Sequence, residues 1–190
     1  MTRTLEKGRV AGAEFIPSPN FDERPPGQDV SLIVIHGISL PPGEYGGSSI
    51  NKLFTNCLSA DEYPGFGDIC ELKVSSHFLI RRDGAVFQYV ATQNRAWHAG
   101  VSSFEGQASC NDFSIGIELE GTDDDLYESA QYAQLCRLAS LLMEYYPSIT
   151  LDRIVGHSDI APDRKTDPGP AFDWQYFRKK LASSRQVDNT

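Results

Sequence analysis

No stretch of this chain approaches the roughly 18–20 consecutive apolar residues that a membrane-spanning helix needs. Its opening, MTRTLEKGRVAGAEF, also lacks the apolar run of about 7–15 residues that marks a signal peptide. The sequence therefore predicts a mature chain that begins about where the gene does and stays in the cytoplasm. Positive charge is short too: 17 Lys and Arg stand against 26 Asp and Glu, a formal net charge of -9. Nucleic-acid phosphates and anionic lipid surfaces both call for a basic footprint, so neither is an expected partner. No feature of the residues signals an obligate protein partner. Cysteine is sparse: Cys57, Cys70, Cys110 and Cys136 lie 13, 40 and 26 residues apart with no CxxC pair. Thiolate zinc clusters and disulfide scaffolds predict tighter spacing. The expectation is reduced, mostly buried thiols that behave as small hydrophobes, with a Cys57–Cys70 bridge as the alternative.

Several enzyme signatures are missing as well. There is no G-x-S-x-G elbow, P-loop, GxGxxG or HExxH. The acidic stretches DERPPGQD and TDDDL lack calcium-loop spacing and read as solvated surface.

What is present suits one folded unit. A length of 190 residues, 40% hydrophobic and 23% charged, fits a single soluble domain. Residues 1–29, rich in proline and polar groups, read as an arm wrapping that domain. SLIVI (31–35) is a short β-branched run that fits a strand buried on both faces. From Ile38 to about Gly67 the chain is mostly loop, with a short helix near Ile50–Cys57. Val74–Arg82 and Ala85–Val90 flank Asp83-Gly84, a strong hairpin signal. DFSIGIELEG (112–121) reads as another strand. Tyr132, Leu135, Cys136, Ala139, Leu142, Met143 and Tyr146 recur at helical spacing up to Pro147. A second helix is expected over about Asp173–Ala182, with a frayed tail at 183–190.

Four histidines can then be weighed singly. His36 closes the SLIVI strand where it feeds a Gly/Pro-rich loop, a usual place for functional groups; a hydrogen-bonded core histidine would sit there equally well. His157 lies in GHSDIAPDRKTDPGPAFDW, a long irregular stretch that must be pinned or disordered. Asp167 lies ten residues beyond His157, within reach if the loop folds back. Two nitrogens and a carboxylate would suit a catalytic zinc with one open position. The same trio could serve non-haem iron. His77, inside a hairpin strand, reads as a core or supporting residue. His98, beside Trp97, is expected near the site without holding metal. Alternation in SIGIELEG puts Ser114, Gly116, Glu118 and Glu120 on one face. Glu120 is expected in solvent. Gly116 leaves room for a ligand or another backbone beside Glu118, whose carboxyl could serve as a general base if burial raises its pKa.

IVIHGISLPPGEYGG, SSHFLIRRDG, RAWHAGVSSFEG, CNDFSIGIELEGTD and GHSDIAPDRKTDPGPAFDW together resemble the AmpD type of N-acetylmuramoyl-L-alanine amidase, over about residues 15–177. The wider family includes T7-lysozyme-type amidases and peptidoglycan recognition proteins. The resemblance implies an α/β fold with a central mixed sheet, flanking helices and long active-site loops. It implies zinc held by His36, His157 and Asp167, with Glu118 as acid–base residue and Lys165 facing the oxyanion. The implied substrates are anhydromuramyl-peptides, cut between the lactyl group and L-alanine during murein recycling. Trp97 would wall the substrate. The chain departs from the family at Gly37, where Asn is usual, at Lys73, where Arg is usual, and at Ser109, near which a second base is common. Local cations such as Lys73, Arg95 or Arg164 would then read substrate carboxylates. A recognition module that holds murein fragments without cutting them is the competing class, and the complete set of five catalytic positions favours the enzyme.

Overall fold

A computed structural model describes residues 4–187. Six strands form one mixed sheet: β1 (Glu14–Phe15), β2 (Leu32–Ile38), β3 (Phe78–Ile80), β4 (Val86–Gln88), β5 (Ser114–Glu120) and β6 (Ile154–Gly156). Their spatial order is β6-β2-β5-β3-β4-β1. The β3–β4 hairpin is antiparallel and every other neighbouring pair is parallel. Among the described residues four α-helices accompany the sheet: α1 (Ser49–Phe54), α2 (Ser129–Tyr145), α3 (His157–Ile160) and α4 (Trp174–Val187).

The continuous apolar run in β2 follows from its central place. Ile33 and Ile35 join Ile115, Ile117 and Leu119 beneath α2 and α4, packed on Leu135, Leu138, Leu142 and Phe177. Leu32 and Val34 face the other way, onto Ala99, Phe113, Val155 and Ile160. Because both faces are covered, every residue must be apolar until the strand reaches its carboxyl end. The hairpin turns where Asp83-Gly84 stands: Gly84 takes φ +86°, and the Asp83 carboxylate accepts the Ala85 N–H at 2.9 Å.

Three expectations change. The proline-rich arm does more than wrap, since Glu14–Phe15 adds a parallel edge strand beside β4 and Phe21–Glu23 pairs antiparallel with Asn94–Ala96. The last helix runs on to Val187, so part of the expected tail is helical, and 188–190 lie outside the described residues. Glu120, expected in solvent, is 1% exposed. Its carboxylate accepts hydrogen bonds from Arg81 Nη1 and from the backbone N–H groups of Gly46 and Arg82. The loop after β2 folds over this strand end, and Arg81 supplies the countercharge that burial of a carboxylate requires. The thiols are all free: Cys110 and Cys136 are buried, Cys57 is exposed and Cys70 half-buried. No helix among the described residues is long and apolar enough to cross a membrane.

Candidate active site

Strand register assembles the site. β6, β2 and β5 are adjacent and parallel, so their carboxyl ends lie side by side, where open α/β sheets place their ligands. Across β2 and β5, His36 stands directly opposite Glu118. Across β6 and β2, Gly156 stands opposite Ile35, which brings the next residue, His157, beside His36. Asp167 arrives on the loop after α3, and two hydrogen bonds seat it. Its carbonyl accepts the Ser158 N–H at 3.0 Å, and the Tyr127 hydroxyl donates to the Pro168 carbonyl at 2.9 Å. Tyr127 lies against two glycines: a Cβ would come within 2.5 Å of its hydroxyl at Gly37 and within 2.6 Å of its ring at Gly121.

Three ligand atoms converge. His36 Nδ1 lies 3.0 Å from His157 Nδ1 and 3.1 Å from Asp167 Oδ2. His157 Nδ1 lies 3.2 Å from the same oxygen. The surrounding hydrogen bonds fix where the ring protons are. Ser114 Oγ donates its proton to the Cys110 carbonyl, so toward His98 Nε2, 3.2 Å away, it must accept. His98 Nδ1 then carries a lone pair and accepts the Nε2–H of His36 at 2.9 Å. His36 Nδ1 is therefore bare. His157 Nε2 faces the Ala99 carbonyl at 3.1 Å, which puts its proton there and leaves its Nδ1 bare as well. Burial, with the neighbouring His157 adding to it and Asp167 opposing, lowers the His36 pKa to about 4. The ring is neutral at pH 7. Two nitrogen lone pairs and a carboxylate thus point at one place with no proton between them, an arrangement that a cation relieves. Their separations are close to the roughly 3.3 Å edge of a tetrahedron of ligands about 2.0–2.1 Å from zinc. The donor set and its spacing fit the metal the resemblance implies.

Glu118, 7% exposed, borders this cluster. Burial raises its pKa well above the usual carboxyl range, the Asp167 charge adds to the rise, and Lys165 opposes it. The charge of half-buried Lys165 is felt at His36 too. The Glu118 carboxyl makes no hydrogen bond within the described residues, so it is free to exchange a proton with a substrate.

The remaining expected residues fall out unevenly. His77 is a supporting residue, as its place in the hairpin predicts: Nδ1 accepts the Gly116 N–H at 3.0 Å and Nε2 faces the Asn94 carbonyl at 3.1 Å. The room left by Gly116 holds neither ligand nor backbone. The His98 ring fills it, and a Cβ there would lie 2.5 Å from its Cγ. Trp97 is half-buried, with its indole N–H donated to Asp22 at 3.2 Å. Lys73 is exposed and has no ion pair within the described residues. Arg95 is already neutralised by Asp22 and Asp112, whereas Arg164 donates to the Ala99 and Val101 carbonyls, which hold its guanidinium without neutralising it. Sequence reading missed Tyr127, Ser114 and Arg24. Arg24, from the arm, donates to the carbonyls of Thr92, Asn111, Asp112 and Ser114; a lone arginine in a polar arm carries no signal of that.

Residues 26–170 match the model of the N-acetylmuramoyl-L-alanine amidase family. The chain is 55% identical over 174 residues to the 1,6-anhydro-N-acetylmuramyl-L-alanine amidase AmpD of Escherichia coli, covering 92% of this chain and 94% of that one. A crystal structure of a selenomethionine AmpD derivative superposes with a TM-score of 0.90 at 54% identity, over 92% of this chain and 97% of that one. The Escherichia coli amidase AmiD, solved with anhydro-N-acetylmuramic acid-L-Ala-D-γ-Glu-L-Lys, superposes with a TM-score of 0.58 at 27% identity, over 94% of this chain and 65% of that one. The central mixed sheet with flanking helices is the architecture they share, and the chain belongs to the N-acetylmuramoyl-L-alanine amidase family, within it to the AmpD type.

Proposed function

We propose that this chain is a zinc-dependent hydrolase that cuts the amide between the lactyl group of 1,6-anhydro-N-acetylmuramic acid and the L-alanine of the stem peptide, in cytoplasmic recycling of murein fragments. The observation that carries the reading is the convergence of bare His36 Nδ1, bare His157 Nδ1 and Asp167 Oδ2 beside an unpaired, buried Glu118. Zinc held there would polarise the amide carbonyl and lower the pKa of a bound water toward roughly 7.

The protein's own groups do the rest. Glu118 takes a proton from the attacking water and returns one to the L-alanine nitrogen as the C–N bond breaks. A carboxyl with a raised pKa suits both halves of that exchange, commonly worth about 10²–10⁴ in rate. The Lys165 ammonium faces the negative charge that grows on the former carbonyl oxygen. Trp97, one residue before His98, walls the substrate. Lys73 lies two residues before Ser75, whose N–H donates to the Trp97 carbonyl and whose hydroxyl accepts the Trp97 N–H, and its ammonium would meet a stem-peptide carboxylate. Gly37 offers a backbone contact beside His36, since a side chain there would collide with Tyr127.

Elemental analysis of the purified protein tests the metal, and about one zinc per chain is expected. Incubation with anhydromuramyl-tripeptide beside intact murein, with products read by mass spectrometry, tests the reaction. Release of the intact tripeptide from the soluble fragment is expected. Full activity after chelation would overturn the zinc mechanism, and equal cleavage of intact sacculi would overturn the recycling assignment.

A further inference from the structure

Two consecutive residues outside the ligand set hold both ligand imidazoles. His98 takes the Nε2–H of His36 on its side chain at 2.9 Å, and Ala99 takes the Nε2–H of His157 on its carbonyl at 3.1 Å. One side chain clamps this pair in turn: Asn111 Oδ1 accepts the N–H of His98 at 3.1 Å and of Ala99 at 2.8 Å. The His98 ring has a place made for it, over a glycine of β5 where even a methyl group would intrude, and its far nitrogen ends on Ser114 Oγ.

We infer that His98 is a positioning residue for the metal site: it fixes the tautomer of His36, so that Nδ1 of that ring presents a lone pair to the site, and Ser114 fixes His98 in the same way. The chemistry explains the choice of residue. Hydrogen bonds to the outer nitrogen of a metal-binding histidine orient the ring and set its tautomer. A carboxylate would do this more strongly but would crowd a further acid beside Asp167 and Glu118. A neutral imidazole whose own proton is committed elsewhere accepts the bond without adding charge. His98 is not itself a ligand, because both of its nitrogens are used in the chain from His36 to Ser114. A serine hydroxyl that donates to a carbonyl has only acceptor capacity left toward the ring, so the order of protons along the chain is set from its far end.

This inference rests on the metal reading above, and its test separates the two. Zinc affinity would be measured by chelator competition on the parent protein and on His98→Ala, His98→Gln and Ser114→Ala. Long-range proton–nitrogen NMR of the metal-free proteins would report the His36 tautomer directly. The parent is expected to show His36 solely as the Nε2–H form. His98→Ala should mix the tautomers and weaken zinc binding by about 10–100-fold, and His98→Gln, which restores an acceptor, should recover most of that loss. Simple loss of packing would not be rescued by glutamine and would leave the tautomer unchanged. Zinc affinity within about twofold of the parent in His98→Ala, with His36 still wholly Nε2–H, would overturn the inference. If His98→Ala does not fold, Ser114→Ala answers the same two questions with one oxygen removed. If the parent itself binds no zinc, the metal reading fails, while the tautomer measurement still decides whether His98 governs His36.

Discussion

Replacing Glu118 by glutamine should slow the enzyme and stabilise the metal-free protein at the same time. The side chain keeps its shape, so the 7% exposed site is not opened, but it can no longer take or give a proton. Turnover should fall by about 10²–10⁴ with zinc affinity nearly unchanged, since Glu118 is not among the converging ligand atoms. The stability change follows from the raised pKa. In the unfolded chain the carboxyl titrates near its ordinary value, whereas in the folded chain burial and Asp167 hold the proton to higher pH. Between those two values the folded state binds more protons, so its stability falls as pH rises, by about 1.4 kcal/mol per pH unit. Glutamine has no such dependence. Glu118→Gln should therefore raise the melting temperature of metal-free protein at pH 7–8, by about 2–4 °C for each kcal/mol relieved in a chain of this size. Near pH 3, where both states carry the proton, the two proteins should melt together. Calorimetry on chelated samples across that range, with peptide release measured on zinc-loaded ones, makes the check. A variant that turns over normally would move the acid–base role elsewhere, and one that melts lower at pH 8 would show that the carboxylate is not a strained group.

Gly116→Ala should displace the His98 ring, since the new methyl would fall 2.5–2.8 Å from three of its atoms; a loss of about 1–3 kcal/mol in denaturant titration is expected, with weaker zinc binding. Glu120→Ala leaves the Arg81 guanidinium, 9% exposed, buried without its carboxylate and should cost about 3–5 kcal/mol in the same assay. Tyr127→Phe removes the donor to the Pro168 carbonyl, costing about 1–3 kcal/mol and lowering zinc affinity through Asp167; equal affinity would show that the loop seats itself. Burial, with the Arg24 charge adding to it, lowers the His77 pKa to about 3. Its unfolded form binds a proton below about 6.5, so stability should fall with pH below that point by about 1.4 kcal/mol per unit, and His77→Gln should flatten the slope seen in acid melts.

The parts of this molecule that were legible in its sequence are those whose cause is local or periodic. SLIVI had to be a central strand because both faces are apolar. Asp83-Gly84 had to turn because glycine accepts the left-handed backbone there. The helix over 129–145 follows from its apolar repeat. His36 stands out by position, although position does not separate a ligand from a core histidine; in the sequence only the family motifs point to a ligand. What stayed hidden depends on partners far away in sequence. Glu120 looks solvent-facing in the sequence because its countercharge, Arg81, sits 39 residues earlier, just past the end of another strand. Gly116 marks a vacancy, but a glycine does not say what will fill it: the sequence suggests a ligand or backbone, and the occupant is the His98 ring from a loop eighteen residues upstream. The edge strand Glu14–Phe15 has only two residues, too few for any alternation. The same asymmetry explains why the five proposed catalytic positions stand out in the sequence while their supports do not. A ligand or proton carrier must be one of a few residue types, and those types stand out in a chain with four histidines. A support need only offer a lone pair or a hydroxyl at the right place, which Ser114, Asn111, Tyr127 and the Ala99 carbonyl do without any marking in the sequence. The function of the site is written in residue identity, and its precision is written in contacts that only the folded chain brings together.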